Sequence, residues 1–387
     1  MKLHRVNARL AWVGALVLAA VAVTAGVAIL VSAAGAAPEL MARIGPTPLP
    51  APIHKDYGTF DDALAALLRS ATVLAPHSCR NLTVFPVTVS SVADFGPVLT
   101  MDEALNRGLV TIEEVGSGSV NEVVAVNRSD SYVFMMASEM IGGAKQDRTL
   151  SEDLLLAPRS RAKIPVFCVE AHRWTAGAPG ARFRSMNITA PMSVRKTVRL
   201  KQDQSEVWAE VSREQMRLAA PSSTGALKSV YESETVQRDL DPYLSGLGNI
   251  PTAAPNVIGA VVAKGSTIVA ADLFYRPDLF RRLWPSLLRS YAADALGERR
   301  AGTGVTVRDA ERFLGRLWDA RRSREETPGA GYVVRLHGAG VNASALVFKR
   351  SVVHLDVFPG VEPLPQPLRE RPMNLDYRRQ RLEHGAQ

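Results

Sequence analysis

The sequence has little of what several common protein classes require. Its 387 residues include only two cysteines, and aromatic residues make up 6% of the chain. It contains no Gly-x-x-x-x-Gly-Lys phosphate loop, no Gly-x-Ser-x-Gly elbow and no His-Glu-x-x-His motif, which argues against the commonest NTPase, serine hydrolase and zinc protease classes. The net charge of +8 is spread thinly, without runs of Lys and Arg interleaved with aromatic residues. We therefore predict no nucleic-acid partner.

The N-terminus, by contrast, is strongly apolar. Residues 10–31 are almost continuously apolar and follow three cations, Lys2, Arg5 and Arg9. About 20 apolar residues span a bilayer as a helix, and flanking cations stay on the cytoplasmic side. The sequence therefore predicts an exported protein of bacterial type that meets the membrane through residues 1–37. Small residues at 34–36 also suit cleavage, so this segment is either an anchor or a signal peptide. The rest is then either the extracytoplasmic domain of a single-pass membrane protein or a secreted or periplasmic protein.

The remaining chain divides by composition. Five prolines within residues 38–57 predict an extended stalk. Residues 58–359 have the apolar content of a folded domain, and residues 360–387, rich in Pro and Arg, predict a disordered basic tail. Within the domain, strand patterns come in clusters and do not alternate strictly with helices. This arrangement favours a single large α+β domain with clustered antiparallel strands and several amphipathic helices.

Local patterns predict several elements. Thr100 and Glu103 have the spacing of a capping box that opens a short helix. The turn at residues 127–130 suggests a hairpin between two strand-like runs, and Lys264-Gly265 suggests another. Pro86 lies in a strand pattern and predicts an edge strand or an early strand end.

One polar segment follows a hydrophobic strand and is the first candidate site. Glu139 precedes Gly142-Gly143, and Lys145, Gln146 and Arg148 follow in close order. Lys145 and Arg148 could hold a phosphate or carboxylate with help from Gln146, and Glu139 could act as a general base if burial raised its pKa. The alternative is a solvated hairpin turn with charged residues on its exposed side.

A second polar segment runs from residue 164 to residue 174. Glu170 shares a strand face with apolar residues and therefore needs either a sheet edge or a partner, and it is a candidate catalytic acid. Cys168 could be a nucleophile whose pKa is lowered by His172, or a disulfide partner or core residue. Arg173 and Trp174 could stack on a ligand or form an ordinary cation–π contact.

The two cysteines leave further alternatives open. Export would place Cys79 and Cys168 in an oxidising compartment, where they could form a disulfide or remain free. With His77 and His172 they also form a zinc-compatible set, but without typical ligand spacing. We therefore predict no metal and no cofactor.

The chain resembles the bacterial ADP-ribosylglycohydrolase- and rhodanese/phosphatase-associated protein domain, from about His77 to Phe358. The resemblance is carried by seven short segments, namely residues 81–86, 99–105, 139–148, 168–170, 173–174, 272–274 and 284–288. It implies an association with ADP-ribose or phosphate chemistry, but the family is named for its neighbours and not for a demonstrated reaction.

These features support two hypotheses. In the first, Glu139, Lys145, Gln146, Arg148, Glu170 and Arg173 converge on a small anionic ligand that the domain binds or hydrolyses. In the second, the same residues form an internal network, and the domain is a non-enzymatic envelope module that binds protein partners. A solvent-open pocket at these residues would favour the first hypothesis, and mutual pairing would favour the second.

Overall fold

Two systems of β-strands organise the part of the chain that the computed structural model describes, which comprises residues 60–115, 121–173, 182–297 and 304–360. The helices are α1 (Phe60–Ser70), α2 (Met101–Asn106), α3 (Met192–Leu200), α4 (Gln204–Arg217), α5 (Lys228–Glu232), α6 (Glu234–Leu247), α7 (Pro277–Ala295) and α8 (Val307–Gly315), with 3-10 turns at Ile250–Thr252 and Arg316–Trp318. The strands are β1 (Ala71–Val73), β2 (His77–Cys79), β3 (Leu82–Val89), β4 (Val98–Thr100), β5 (Val110–Glu114), β6 (Glu122–Asn127), β7 (Tyr132–Met135), β8 (Glu139–Gly143), β9 (Arg148–Leu150), β10 (Leu154–Leu156), β11 (Arg161–Cys168), β12 (Arg182–Thr189), β13 (Val257–Lys264), β14 (Thr267–Phe274), β15 (Arg321–Glu326), β16 (Tyr332–Gly338), β17 (Val341–Phe348) and β18 (Ser351–Pro359).

The larger system is a nine-stranded antiparallel sheet. Its strand order is β1–β3–β13–β14–β18–β17–β16–β15, and β2 also pairs with β3. One face packs on α1 and α8 through residues such as Leu64, Phe313 and Leu355. The opposite face contributes Phe274 and Phe358 to a larger core that includes the long helix α7. Burial on both faces explains why β13 reads as a nearly continuous apolar run.

The smaller system is a closed barrel of six short strands in the order β11–β6–β5–β12–β8–β9. Its interior holds aliphatic side chains, among them Ile112, Ile164 and Leu150. A three-stranded sheet, β10–β7–β4, lies beside it, and there β4 and β7 run parallel. The predicted α+β class with antiparallel strand clusters is therefore confirmed.

Two local signals hold as predicted. Thr100 accepts from the backbone N–H of Glu103, whose carboxylate accepts from Thr100 N at 2.9 Å, so the capping box is present. β13 and β14 pair through the Lys264-Gly265 turn, where the φ of Gly265 is +58°. Glycine adopts this left-handed backbone without a steric penalty.

Two other local expectations are wrong. The runs on either side of residues 127–130 do not form a hairpin, because β6 pairs with β5 and β11 whereas β7 pairs with β4 and β10. β3 is not an edge strand and continues past Pro86 to Val89. On one side of β3, β1 and β2 pair with the segments before and after Pro86, so this proline needs no ladder N–H there.

Several predicted segments lie outside the described residues. These are the N-terminal membrane segment, the stalk and the tail beyond residue 360. Among the helices that are described, none has both the length and the apolar character needed to cross a bilayer.

Candidate functional site

The first cluster lies at one end of the small barrel, and we call it the barrel-end cluster: Glu114, Lys145, Gln146, Asp147, Arg148, Glu170 and Arg173. Alternation along β5 and β9 places Glu114 and Arg148 on the same side of their strands as the core residues Ile112 and Leu150. Both charged side chains are buried, and Arg148 Nη2 lies 3.8 Å from Glu114 Oε1. The two charges therefore compensate each other inside the barrel end.

Hydrogen bonds tie the two predicted polar segments together. Gln146 donates to the backbone oxygen of Glu170 at 2.8 Å and accepts from Arg148 Nη1 at 3.1 Å. Asp147 N donates to Glu170 Oε2 at 3.1 Å, and Thr224 Oγ1 donates to Glu170 Oε1 at 2.8 Å. Gln146 and Glu170 thus join the two segments, whereas Nε and Nη2 of Arg148 make no hydrogen bond within the described residues.

Ion pairs complete this cluster at its partly exposed side. Arg173 Nη2 lies 2.6 Å from Glu170 Oε2 and 3.3 Å from Asp147 Oδ1, and Lys228 Nζ lies 3.4 Å from Asp147 Oδ2. Burial alone would raise the pKa of Glu170, but the bonds from Arg173 and from the Asp147 amide outweigh it and lower the pKa. Glu170 is therefore an ionised partner of Arg173.

The loop that carries Lys145 turns at Gly143, whose φ is +105°. Gly143 N donates to Asp147 Oδ1 at 3.1 Å, and Lys145 N donates to Glu114 Oε1 at 3.3 Å. The side chain of Lys145 is half-buried. The loop is therefore fixed to the barrel end by its own backbone.

Cys168 is a buried free thiol. Its Sγ donates to the backbone oxygen of Glu170 at 3.2 Å, and the side-chain amide of Gln204 bonds both backbone groups of Cys168 at 2.8 Å. Burial raises the pKa of this thiol, which is the opposite of what an activated nucleophile needs. Cys79 is also free, so the structure contains no Cys79–Cys168 disulfide. Trp174 lies outside the described residues.

Glu139 belongs to different surroundings. It is buried at the start of β8, where its carboxyl group accepts from Met136 N at 2.7 Å. Burial, with the nearby charge of Asp102, raises the pKa of Glu139 well above its usual value. Burial likewise raises the pKa of Asp102 to about 6. The carboxyl group of Glu139 therefore lies apart from the barrel-end cluster with which the sequence grouped it.

The structure reveals a second, larger charge cluster on the face of the nine-stranded sheet that shares a core with α7. Asp272 on β14 lies opposite Asp356 on β18, and Asp356 lies opposite Ser344 on β17. Ser344 in turn lies opposite Arg335 on β16. We call this the polar row. All four side chains are buried. Buried charges must be paired, and the partners come from neighbouring strands, at His354 and Glu325, and from segments outside the sheet.

His354 links the polar row to the segment between β9 and β10. Its Nδ1 lies 2.8 Å from Asp153 Oδ2, and its Nε2 lies 3.1 Å from Asp272 Oδ1. A carboxylate at each ring nitrogen requires a proton on both nitrogens. Burial disfavours the imidazolium, yet the charges of Asp153 and Asp272 raise the pKa of His354 to about 10.

Helix α3 supplies the remaining cations. Arg195 makes a bidentate contact with Asp272, at 2.6 Å and 3.2 Å. Arg199 Nε lies 2.8 Å from Asp356 Oδ2, and its Nη1 lies 2.7 Å from Glu152 Oε2. Glu152 also pairs with Arg335. The network therefore joins α3, the segment that follows the barrel strand β9, and the sheet through compensated charges.

One group of residues in this network has the types that can bind a metal ion. Asp153, His354 and Asp356 are a buried group whose ligand atoms lie within 4.8 Å of one another. However, a metal needs a deprotonated ring nitrogen, and both nitrogens of His354 face carboxylates as donors. Arg199 also already compensates Asp356. This group therefore does not fit a cation, and His77, Cys79, Cys168 and His172 form no such group among the described residues.

The sequence contained a signal for the polar row. His354 and Asp356 alternate with apolar residues in the run Val352 to Val357, a pattern typical of a strand, which places two polar side chains on one face. Their partners on α3 could not be found in this way, because nothing in the sequence brings a helix of residues 192–200 to that face.

A comparison with protein families gives one match. The model of the ARG and Rhodanese-Phosphatase-superfamily-associated Protein domain matches residues 70–358, a range that contains both charge clusters. No curated protein and no solved structure matches the chain significantly.

Proposed function

The chain belongs to the ARG and Rhodanese-Phosphatase-superfamily-associated Protein domain family. We propose that it is an exported, non-enzymatic domain, anchored in the membrane or released from it, that binds protein partners. The observation that carries this proposal is the mutual pairing of its polar clusters. In the barrel-end cluster, Gln146, Asp147, Arg148 and Glu170 bond one another or Glu114, Thr224 and Arg173. Buried charges need such partners for the fold to be stable, because a buried charge without a partner costs several kcal/mol.

The cavities of the described residues also support this function. The larger one, of about 440 Å³, is lined by Asp94, Arg276, Asp278 and Arg282. It lies beside the N-terminal turns of α7 and not at the barrel-end cluster. Both of its arginines already pair with those acids. Neither cluster contributes a residue to the lining of this cavity or of a smaller one of about 180 Å³ beside α1.

Export is the second part of the proposal. It rests on the sequence alone, on the cations at Lys2, Arg5 and Arg9 before the apolar run of residues 10–31. A reporter enzyme that is active only outside the cytoplasm, fused after residue 57, should be active. The same fusion without residues 1–37 should be inactive. Recovery of the full-length product in the soluble cytosolic fraction would refute this part.

A second candidate function has one observation in its favour. Nε and Nη2 of the buried Arg148 have no hydrogen-bond partner within the described part of the chain. Together with Lys145 nearby in sequence, this favours a small anion at the barrel end, such as a phosphate or ADP-ribose.

Calorimetric titration of the full chain separates the two functions. The proposed function predicts no binding heat with ADP-ribose or inorganic phosphate at millimolar concentrations. The second candidate predicts binding that the Lys145→Ala/Arg148→Ala variant abolishes while its melting temperature is retained. Saturable binding with that behaviour would replace the proposed function.

A further inference from the structure

The last strand of the large sheet, β15, is unusual in its exposure. All of its residues except the partly buried Glu325 are exposed, and among the described strands it pairs only with β16. Exposed edges are sites where another chain can add a strand, and proteins often protect them with charged residues. The sequence of β15, Arg-Arg-Ser-Arg-Glu-Glu, contains five charged residues. Whether they block or favour an added strand depends on the direction of their side chains.

Two arginines of β15 share a face and are oriented by their contacts. Arg322 and Arg324 lie opposite Leu336 and Val334, which belong to the core under α1 and α8. Arg322 donates to the backbone oxygens of Leu317 and Trp318 at 3.3 Å and 3.2 Å. The guanidinium group of Arg324 lies 3.7 Å from the ring centroid of Tyr332. The two cations are therefore held side by side on one face of the edge, and Glu326 follows them on the same face.

An exposed aromatic residue adjoins this edge. Trp318 ends the 3-10 turn before β15 and is 42% exposed, one of three large apolar side chains with such exposure in the described residues. Arg69 lies over its ring at 5.9 Å. Exposed Trp and Arg are the residue types that most often dominate protein interfaces.

A second copy of this chain suits the edge less well than an acidic segment does. An antiparallel pair of identical strands related by a two-fold axis must place one residue opposite its own copy. An axis at any charged residue of β15 sets that charge opposite itself. An axis at Ser323 sets Arg322 opposite Arg324 of the second copy. Like charges directly opposite are destabilising, and each of these registers contains at least one such pair. An axis at Glu325 also sets Arg324 opposite Glu326 of the second copy, so the like-charged pair weakens self-pairing without excluding it.

We propose that β15 binds an extended acidic segment of another protein by strand addition, with Arg322 and Arg324 opposite two carboxylates and Trp318 as the apolar anchor beside them. Because side chains two residues apart share a strand face, the segment carries Asp or Glu at alternate positions. This inference rests on the proposed partner-binding function and names the chemistry of the partner.

Two labelled synthetic peptides test the inference with the full-length chain. One alternates Glu with Val over eight residues, and the other has Lys in place of each Glu. Fluorescence anisotropy should show binding of the Glu peptide that is at least tenfold tighter than that of the Lys peptide, and amide exchange within residues 321–326 should slow only with the Glu peptide. Equal binding of both peptides, or binding without slower exchange in β15, would overturn the proposal.

Matched variants separate the edge from general charge. Arg322→Glu/Arg324→Glu should weaken Glu-peptide binding at least tenfold and leave the melting temperature unchanged. Arg161→Glu/Arg184→Glu makes the same charge change at exposed barrel strands and should leave binding within twofold. Trp318→Ala, which removes only the anchor, should weaken binding severalfold. If the chain binds neither peptide but captures a purified envelope protein unaffected by the β15 variant, the edge inference fails and the proposed function stands.

Discussion

The protonated state of His354 gives the sharpest prediction. Replacing it by Gln keeps a polar side chain of similar length but removes the cation between Asp153 and Asp272. The folded-state pKa of about 10 lies above the ordinary value of 6.5. At 1.36 kcal/mol for each tenfold change in proton affinity, this difference corresponds to about 5 kcal/mol. The loss measured when one partner of a buried ion pair is removed, about 3–5 kcal/mol, is in the same range.

The sign of the pH dependence follows from the direction of that pKa. A group with a raised folded-state pKa contributes its full stability below the unfolded-state pKa, and the contribution is lost as pH rises through the folded-state pKa. Wild type should therefore exceed His354→Gln by about 3–5 kcal/mol at pH 6. The difference should shrink steadily between pH 7 and pH 10.

Urea unfolding followed by tryptophan fluorescence at pH 6, 8 and 10 measures this difference. His337→Gln is the matched control, since His337 lies on β16 and is only partly buried. Comparison with this control corrects for the titration of lysines and tyrosines at high pH, which affects wild type and both variants alike. A stability difference for His354→Gln that is equal at pH 6 and pH 10 would mean that the folded protein holds a neutral imidazole, and the reasoning would be refuted.

Three further substitutions have expected outcomes that thermal and urea unfolding can check. Glu139→Gln should change the unfolding free energy at pH 7 by less than about 1 kcal/mol, because burial raises the pKa of this carboxyl group well above its usual value and so favours the neutral form that glutamine resembles; a loss above about 3 kcal/mol would show that the fold needs an ionised carboxylate. Ser138→Gly should stabilise by about 1 kcal/mol, because Ser138 has a φ of +70° that glycine adopts without strain; Ser138→Ala, which keeps the strain, should not. Gly259→Ala should cost about 3 kcal/mol, because its Cβ would lie 2.1 Å from the backbone oxygen of Asp272, whereas Gly265→Ala, with open space around its Cβ, should cost about 1 kcal/mol. Equal costs at the two glycines would contradict the close strand approach.

Local structure was predictable where a short-range signal sets it. The capping box at Thr100, the turn at Gly265 and the apolar periodicity of α7 each depend on residues within a few positions of one another. The hairpin expected around residues 127–130 failed because strand pairing is decided by burial against distant segments. β6 finds its partners in β5 and β11, and β7 finds its own in β4 and β10.

The candidate site shows the same division. The sequence correctly grouped Gln146, Arg148, Glu170 and Arg173, since their two segments lie together. It could not show that they would bond one another, because pairing depends on the side-chain geometry at the barrel end. It also grouped Glu139 with them, although Glu139 lies at the start of β8, near Asp102. Glu139, Cys168 and Lys145 keep their roles in catalysis or binding only as predictions.

The unfolding free energy of Arg148→Met tests most directly whether the barrel-end cluster serves the fold. Methionine fills a similar volume but leaves Glu114 buried without its cation. We expect a loss of about 3–5 kcal/mol relative to wild type, while Arg128→Met at an exposed position changes little. Replacing a residue that is kept for a ligand at the expense of stability leaves the unfolding free energy unchanged or raises it. An Arg148→Met protein as stable as wild type, or more stable, would contradict the account.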